Sequence, residues 1–66
     1  WLARVEAVIR RGQHEGEFRT GLTAADLARL VVAGIEGGIM MSRLSKSPQP
    51  FKACLKTLEK CLKVEA

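Results

Sequence analysis

The residue types that most often perform catalysis are few in this chain. Its only histidine, His14, falls on the polar side of a predicted helix, and no serine stands at a spacing that places it beside that ring. The carboxylates Glu15 and Glu17 lie in or near a loop without a paired partner. The glycines lie inside predicted helices, not in a phosphate-binding loop between a strand and a helix. The sequence predicts a protein that is not an enzyme and uses no cofactor.

Two cysteines, Cys54 and Cys61, are separated by seven positions in one predicted helix. That spacing puts their α-carbons about 10.5 Å apart along the axis. A disulfide requires less than about 7 Å, so they cannot pair with each other. With one histidine and no second cysteine pair, no metal site is predicted. Two interpretations stay open: small buried apolar side chains, or a disulfide between two copies of the helix that run antiparallel.

Glu36 is the one acidic residue inside the most apolar stretch, residues 30–41. Buried acids are normally paired, so Glu36 either forms an ion pair, with Arg29, Arg43 or a partner's basic group, or contacts a ligand at the edge of a pocket. The stretch is shorter than the roughly 20 residues of a membrane span. The first residues also lack the apolar core of a signal peptide. We therefore expect a soluble, cytoplasmic protein without a membrane partner.

The chain has 66 residues and a net charge of +4. A domain of this size buries only about 60% of its unfolded surface, so a partner subunit is the expected source of further stability. Because the sequence opens at Trp1 rather than at Met, we expect a piece of a longer protein. Five lysines lie in residues 46–66, but the three aromatic residues are not interleaved with them. Nucleic-acid binding by the chain itself therefore rests on the lysines alone.

Apolar periodicity predicts a first helix over residues 1–15. Its apolar stripe consists of Trp1, Leu2, Val5, Val8, Ile9 and Gly12. At Gly12 the missing side chain would let another backbone come close. Gly16 is expected to end the helix in the left-handed conformation, and Phe18 to fold the following loop onto the core.

A second helix is predicted to begin after Thr23, whose hydroxyl can accept the N–H of Asp26, and to cover residues 24–44. Three charged residues, Arg29, Glu36 and Arg43, form one thin polar line, and both flanks are apolar. Such a helix must be buried on more than one side. Gly34 and Gly38 make a notch into which a neighbouring helix can press. The alternative is a kink or fraying near residues 37–38.

The third predicted helix follows a short loop, with Ser47 as N-cap and Pro48 in the first helical position, and continues to about Val64. Its apolar seam consists of Phe51, Cys54, Leu55, Leu58, Cys61 and Leu62. Lysines cover the outer side of the same helix. No segment has the pattern of a strand, so the predicted fold class is all-α: a helical hairpin plus one helix.

Residues 11–44 resemble the end of a TetR-family transcriptional regulator. The resemblance is carried by the string Arg-Gly-Gln-His-Glu-Gly-Glu-Phe-Arg at residues 11–19, by the capped helix with Glu-Gly-Gly at residues 36–38, and by Ser-Arg-Leu-Ser at residues 42–45. It implies that residues 1–66 are one segment, the last three helices of the C-terminal regulatory domain. It also implies a four-helix dimer interface and a small-molecule pocket, with no counterpart of the N-terminal helix-turn-helix that binds operator DNA.

The leading hypothesis is therefore a homodimerisation and effector-response segment of a TetR-like repressor, which meets operator DNA only through the missing N-terminal domain. The alternative is an independent helical module that binds another protein. The predicted dimer interface consists of Leu30, Gly34, Gly38, Met41, Phe51, Cys54, Leu58 and Cys61. The predicted edge of an effector pocket consists of Trp1, Val5, Ile9 and Glu36.

Overall fold

Three helices joined by two loops make up residues 1–64, the part of the chain that the computed structural model describes. They are α1 (Leu2–His14), α2 (Ala24–Ser45) and α3 (Gln49–Leu62). The helices α1 and α3 both pack against α2 and not against each other. Apart from an isolated bridge between Phe18 and Lys63, residues 1–64 contain no β-structure. The all-α class is confirmed.

The end of α1 follows the prediction closely. Gly16 has a φ of +79°, and two crossed hydrogen bonds close the helix: Glu17 N–H donates to Gly12 O over 2.8 Å, and Gly16 N–H donates to Gln13 O over 3.2 Å. This is the Schellman arrangement, which needs a residue that adopts the left-handed conformation without a Cβ penalty. The Gln13 amide then donates to Arg19 O and to Leu22 O, so the loop after α1 is tied down along its length.

Gly12 has a different neighbour from the one expected. The three atoms nearest to its Cβ position belong to a side chain and not to a backbone. Instead the Phe18 ring lies against it, and a Cβ atom at residue 12 would overlap that ring. Phe18 itself packs against the core, as predicted. The glycine makes room for an aromatic side chain of the adjoining loop, because the tight turn at Gly16 folds Phe18 back over the last turn of α1.

Both ends of α2 are capped. Thr23 Oγ1 accepts the N–H of Asp26 over 3.1 Å, which confirms the predicted N-cap. At the other end Lys46 adopts the left-handed conformation (φ 55°), and Ser47 N–H donates to Ser42 O. This second Schellman closure uses a lysine, although glycine is the usual residue there. The helix runs without a break past Gly37 and Gly38, so the alternative of a kink or fraying there does not apply.

The start of α3 is held by two serines. Ser47 Oγ accepts the N–H of Gln49, and Ser42 Oγ, from α2, accepts the N–H of Phe51 over 2.9 Å. Helix α3 begins at Gln49, one residue later than predicted, and Pro48 rather than Ser47 is its N-cap. Ser42 therefore satisfies a free N–H at the first turn of the neighbouring helix and fixes the hairpin between α2 and α3.

The glycine notch on α2 is filled by α3 of the same chain. A Cβ atom at Gly34 would lie 2.8 Å from Leu58 Cδ1, and one at Gly38 would lie 3.2 Å from Cys54 Cβ and 3.3 Å from Phe51 Cα. The contacts descend α3 as they ascend α2, so the two helices are antiparallel. The two glycines allow the axes to approach more closely than larger residues would.

The core lies where α1 crosses the first half of α2. Its fully buried apolar residues, within the described chain, are Ile9, Ala24, Leu27 and Ala28. Val5, Phe18, Val31 and Leu62 pack around them, so all three helices and the first loop contribute. Leu58, also buried, extends the apolar contact along α3.

Replacing Gly34 by leucine should destabilise the hairpin by about 2 kcal/mol. Helix propensity alone predicts a gain of close to 1 kcal/mol, but overpacking against Leu58 costs about 1–3 kcal/mol or more. The measurement is urea unfolding followed by circular dichroism at one protein concentration. Glu36→Leu, on the exposed polar line of the same helix, is the control and should change stability by less than about 0.5 kcal/mol. An unchanged or higher midpoint for Gly34→Leu would contradict the close approach.

Replacing Lys46 by glycine should raise the free energy of unfolding by about 1 kcal/mol, because a side chain in the left-handed conformation is strained. The same substitution at Lys56, exposed inside α3, should lower it by about 1 kcal/mol. Comparison of the two urea midpoints separates the backbone effect at residue 46 from the loss of a lysine charge. Equal destabilisation by both changes would mean that residue 46 carries no strain.

Candidate functional site

A broad apolar surface lies on the side of α2 turned away from α1. Its exposed side chains include Leu44 at 80%, Met40 at 63%, Met41 at 52% and Leu30 at 47%. We call this surface the outer face of α2 and define it as Leu30, Ala33, Gly37, Met40, Met41 and Leu44. The positions 30, 33, 37, 40 and 44 alternate steps of three and four, which is the heptad pattern of a helix that packs against another helix. No atom outside helix α2 lies within 4 Å of the Cβ position at Gly37.

The outer face is bounded on one side by charge and on the other by α3. Arg29, Glu36 and Arg43 are exposed along the polar line. On the opposite edge, Leu30 precedes Gly34 by one turn and Met41 follows Gly38 by one turn, and both glycines contact α3. The edge of the outer face at Leu30 and Met41 therefore adjoins α3, and the two helices together present one surface.

A second apolar surface is an open groove between α1 and α3, with α2 as its floor. Its larger hollow, of about 390 Å³, is lined by Trp1, Arg4, Val5, Val8, Ile9, Phe18, Val31 and Leu62. A smaller hollow of about 240 Å³ continues it along α3 and is lined by Phe18, Val31, Ile35, Leu55, Leu58, Glu59, Leu62 and Lys63. The two share three lining residues, and we call them together the α1–α3 groove.

The groove exists because α1 and α3 touch α2 without touching each other. The loop after α1 sets the distance between them: Arg19 N–H donates to Leu62 O over 2.8 Å, and Phe18 pairs with Lys63 in the isolated bridge. The Phe18 ring, seated on Gly12, lines both hollows. The loop that sequence patterning treats as a connector thus determines the width of the groove.

Charge is placed unevenly along the groove. In the larger hollow Arg4 is the charged lining residue, and it forms no ion pair within residues 1–64. In the smaller hollow Lys63 Nζ lies 2.9 Å from Glu59 Oε1. The hydrogen bond and the charge of Lys63 hold the pKa of the exposed Glu59 carboxyl below its ordinary 4.5. The larger hollow is therefore lined by a charge with no acidic partner among residues 1–64, and the smaller hollow by a compensated pair.

The predicted pocket residues separate into two groups. Trp1, Val5 and Ile9 line the groove together. Glu36 does not join them: it is exposed on the polar line of α2 and forms no ion pair with any of residues 1–64. The predicted ion pair with Arg29 or Arg43 is wrong, because the side of α2 that carries Glu36 faces outward. A pair with a partner's basic group and a contact with a ligand stay predictions.

The predicted interface residues also separate. Gly34, Gly38, Phe51, Cys54 and Leu58 meet one another between α2 and α3 of one chain. Leu30 and Met41 are exposed on the outer face. Cys54 and Cys61 are both free and half-buried. Among residues 1–64 no group of three or more metal-binding side chains comes together.

Five residues that line the larger hollow were not among the predicted pocket residues: Arg4, Val8, Phe18, Val31 and Leu62. Arg4 belongs to the polar side of α1 by its type, but it lies one turn from Val8 and beside Trp1, at the edge of the apolar stripe. Leu62 was placed in the α3 seam, and only the bridge to the first loop brings it opposite α1. Proximity to Trp1 was the available signal for Arg4, whereas no local signal predicts the bridge.

A family model described as tetracyclin repressor-like, C-terminal domain, matches residues 1–58. The matched range includes all of α1 and α2 and most of α3. No curated protein and no solved structure matches the chain. Within residues 1–64 no helix is both long and apolar enough to cross a bilayer.

The ion pair at the end of the groove can be tested by titration. We expect the Glu59 carboxyl, followed by NMR, to titrate below 4.5 and Lys63→Met to raise its pKa toward that value. Because the folded pKa is lowered, the stabilisation is present above the ordinary pKa and is lost as the pH falls through the folded one. Lys56→Met removes another α3 lysine and should leave Glu59 unchanged. Equal shifts from both variants would mean that net charge, not this contact, lowers the pKa.

Proposed function

As a member of the family of tetracyclin repressor-like C-terminal domains, this chain is the regulatory part of a transcriptional regulator, and we propose that it joins two copies of that regulator and responds to a small-molecule effector. In this proposal the regulator is a cytoplasmic repressor. Operator DNA is bound by a separate helix-turn-helix of the intact protein and not by α3 of this chain.

The proposal that the chain dimerises is supported by the exposed apolar outer face of α2. Soluble monomers rarely leave a large contiguous apolar patch uncovered, and such patches mark interaction sites. Here the patch follows a heptad spacing along a helix of 22 residues, roughly 33 Å long. The outer face covers residues 30–44 of that helix, about two heptads, and self-complementary helix faces are the common way in which identical chains meet about a two-fold axis.

The pairing of α2 with α3 supports a four-helix arrangement. Each chain contributes a preformed antiparallel hairpin, held at Gly34 and Gly38, and two such hairpins stacked face to face make a four-helix bundle. We assign the contact between chains to the outer face, with Leu30 and Met41 at the edge that adjoins α3 and the half-buried Cys61 of α3 at its rim. The remaining residues of the predicted interface build the hairpin that each copy brings.

This division of roles follows from burial. Leu58 is 9% exposed in the single chain, so a second copy would bury little more of it. Met41 and Leu44 are more than half exposed, and each additional buried CH₂ group contributes about 0.8 kcal/mol. The energy available for dimerisation therefore lies on α2 rather than in the α3 seam.

The effector is assigned to the α1–α3 groove. Ligand sites in proteins are concave, lined mainly by apolar and aromatic side chains and oriented by a few polar groups. The larger hollow meets that description with seven uncharged residues and Arg4. His14, Cys54 and Cys61 are not among the residues that line it, so the proposal contains no catalytic step.

The dimer is tested by sedimentation velocity across a range of concentrations. The chain should sediment as a dimer, and Met41→Glu should raise the dimer dissociation constant by roughly two orders of magnitude, because a carboxylate would be buried without a partner. Val8→Glu is the matched control: Val8 is 64% exposed and Met41 52%, but Val8 lies in the groove, so dimerisation should be unchanged.

Three results would contradict the assignment. A folded monomer at every concentration would favour the alternative, a helical module that binds a different protein. Equal weakening by the two substitutions would mean that the loss of the dimer is not specific to the outer face. Tight, salt-sensitive binding of duplex DNA by this chain alone would instead favour a role for the α3 lysines.

A further inference from the structure

The polar line of α2 borders the proposed dimer contact, and two of its charges have no partner in their own chain. Glu36 and Arg43 are exposed and form no ion pair within residues 1–64, whereas Arg29 is already paired with Asp26. Resting on the dimer proposed above, we propose that Glu36 of each copy pairs with Arg43 of the other. These two reciprocal contacts fix the register of the dimer and its preference for an identical partner.

The two edges of the outer face favour an antiparallel pairing of the α2 helices. When two copies of a helix pair antiparallel about a two-fold axis, each edge of the contact face meets the same edge of the other copy. The polar line then meets the partner's polar line. In a parallel pair it would meet the α3 edge, where the rim residue Cys61 offers a thiol and no charged group. The antiparallel pair is therefore the one in which charges flank charges, as they do beside the seam of a coiled coil.

The order of the charges along the polar line selects a register. The line reads positive, negative, positive at residues 29, 36 and 43, with about 10.5 Å between neighbours. If the two-fold axis passed through residue 36, every charge would lie level with a like charge, which opposes association. An axis between residues 39 and 40 instead puts Glu36 level with the partner's Arg43, and the symmetry repeats the pair. The charges thus oppose the centred register and favour the shifted one.

Another register would also pair opposite charges, but it leaves the most exposed apolar residue of α2 uncovered. With the axis between residues 32 and 33, Arg29 lies level with the partner's Glu36. Arg29 Nη1 is already 3.1 Å from Asp26 Oδ1, so its charge is partly compensated. Leu44, which is 80% exposed, would extend past the start of the partner's α2 at Ala24. This register therefore gives up the largest apolar burial available.

Side-chain sizes fit the register with the axis between residues 39 and 40. Leu44 lies level with the midpoint between Ala33 and Gly37 of the partner subunit, the two small residues of the outer face. No atom outside α2 lies within 4 Å of the Cβ position at Gly37, so a leucine can enter there as a knob enters a hole. Met40 of both copies meets at the axis, and Leu30 lies level with the start of the partner's α3. Charge and shape, two separate properties, favour the same register.

Charge reversal at the two positions tests the pairing. In sedimentation velocity, Glu36→Arg and Arg43→Glu should each raise the dimer dissociation constant roughly tenfold, because each change puts two like-charged pairs into the dimer. The double variant Glu36→Arg/Arg43→Glu reverses both members of each pair and should restore the constant to within about threefold. The control is Arg29→Glu, a charge reversal on the same line, which should change it less than about twofold. Circular dichroism checks that every variant is helical.

Mixing the two single variants tests partner preference directly. In the heterodimer of Glu36→Arg with Arg43→Glu, both contacts join opposite charges, whereas each homodimer contains two repulsive contacts. Native mass spectrometry of an equimolar mixture should find roughly nine-tenths heterodimer, against about one half for random pairing. The excess should shrink as ammonium acetate is raised from about 0.05 M to about 1 M, because salt screens exposed charges.

The outcomes separate the pairing from the dimer on which it rests. If the copies associate but reversal at residues 36 and 43 has no effect, or if the two variants mix at random, the pairing is wrong and the dimer stands. If Arg29→Glu and Glu36→Arg weaken the dimer and Arg43→Glu does not, the other register holds and the one proposed is overturned. A chain that stays monomeric at every concentration overturns both the pairing and the proposed dimer.

Discussion

The close approach of α3 to Gly34 and Gly38 of α2 determines where the other apolar surfaces of the chain can lie. Because these glycines carry no side chain, α3 sits against one side of α2 with Leu58 and Cys54 in direct contact. That placement leaves the remaining sides of α2 for α1 and for solvent. Three glycines inside one helix each cost about 0.8–1.0 kcal/mol relative to alanine. At Gly34 and Gly38 this cost is offset by close packing against α3.

The chain has more apolar surface than three helices can cover. Within residues 1–64 the buried apolar side chains are Ile9, Ala24, Leu27, Ala28 and Leu58, and two of these five are alanines. A small core contributes little free energy to set against the entropy of ordering the chain. Exposed apolar residues such as Trp1, Val8 and Leu44 therefore offer surface that a ligand or a partner can bury. The proposed effector would bury Trp1 and Val8 in the groove, and the proposed dimer would bury Leu44 on the outer face.

Local chemistry was the predictable part of this structure. The cap at Thr23, the left-handed Gly16 and the extent of α2 follow from short-range patterns that the sequence states directly. Predictions of which helices and loops pack against each other were weaker. A glycine spacing indicates close approach but not whether the neighbour is α3, another copy or, as at Gly12, an aromatic ring. The left-handed Lys46 has no sequence signal at all, since tertiary packing of the hairpin overrides the local preference.

The candidate site was predictable only in its apolar half. Trp1, Val5 and Ile9 share a stripe, and a stripe must face something, so their convergence was foreseeable. The positions of Arg4 and Glu36 were harder to predict, because the type of a charged residue does not indicate which apolar surface it borders. Helix α2 separates the two apolar surfaces. Val31 lies on the floor of the groove, and Leu30, the residue before it, lies on the outer face. The floor of the groove and the outer face are therefore two sides of one helix, contributed by neighbouring residues.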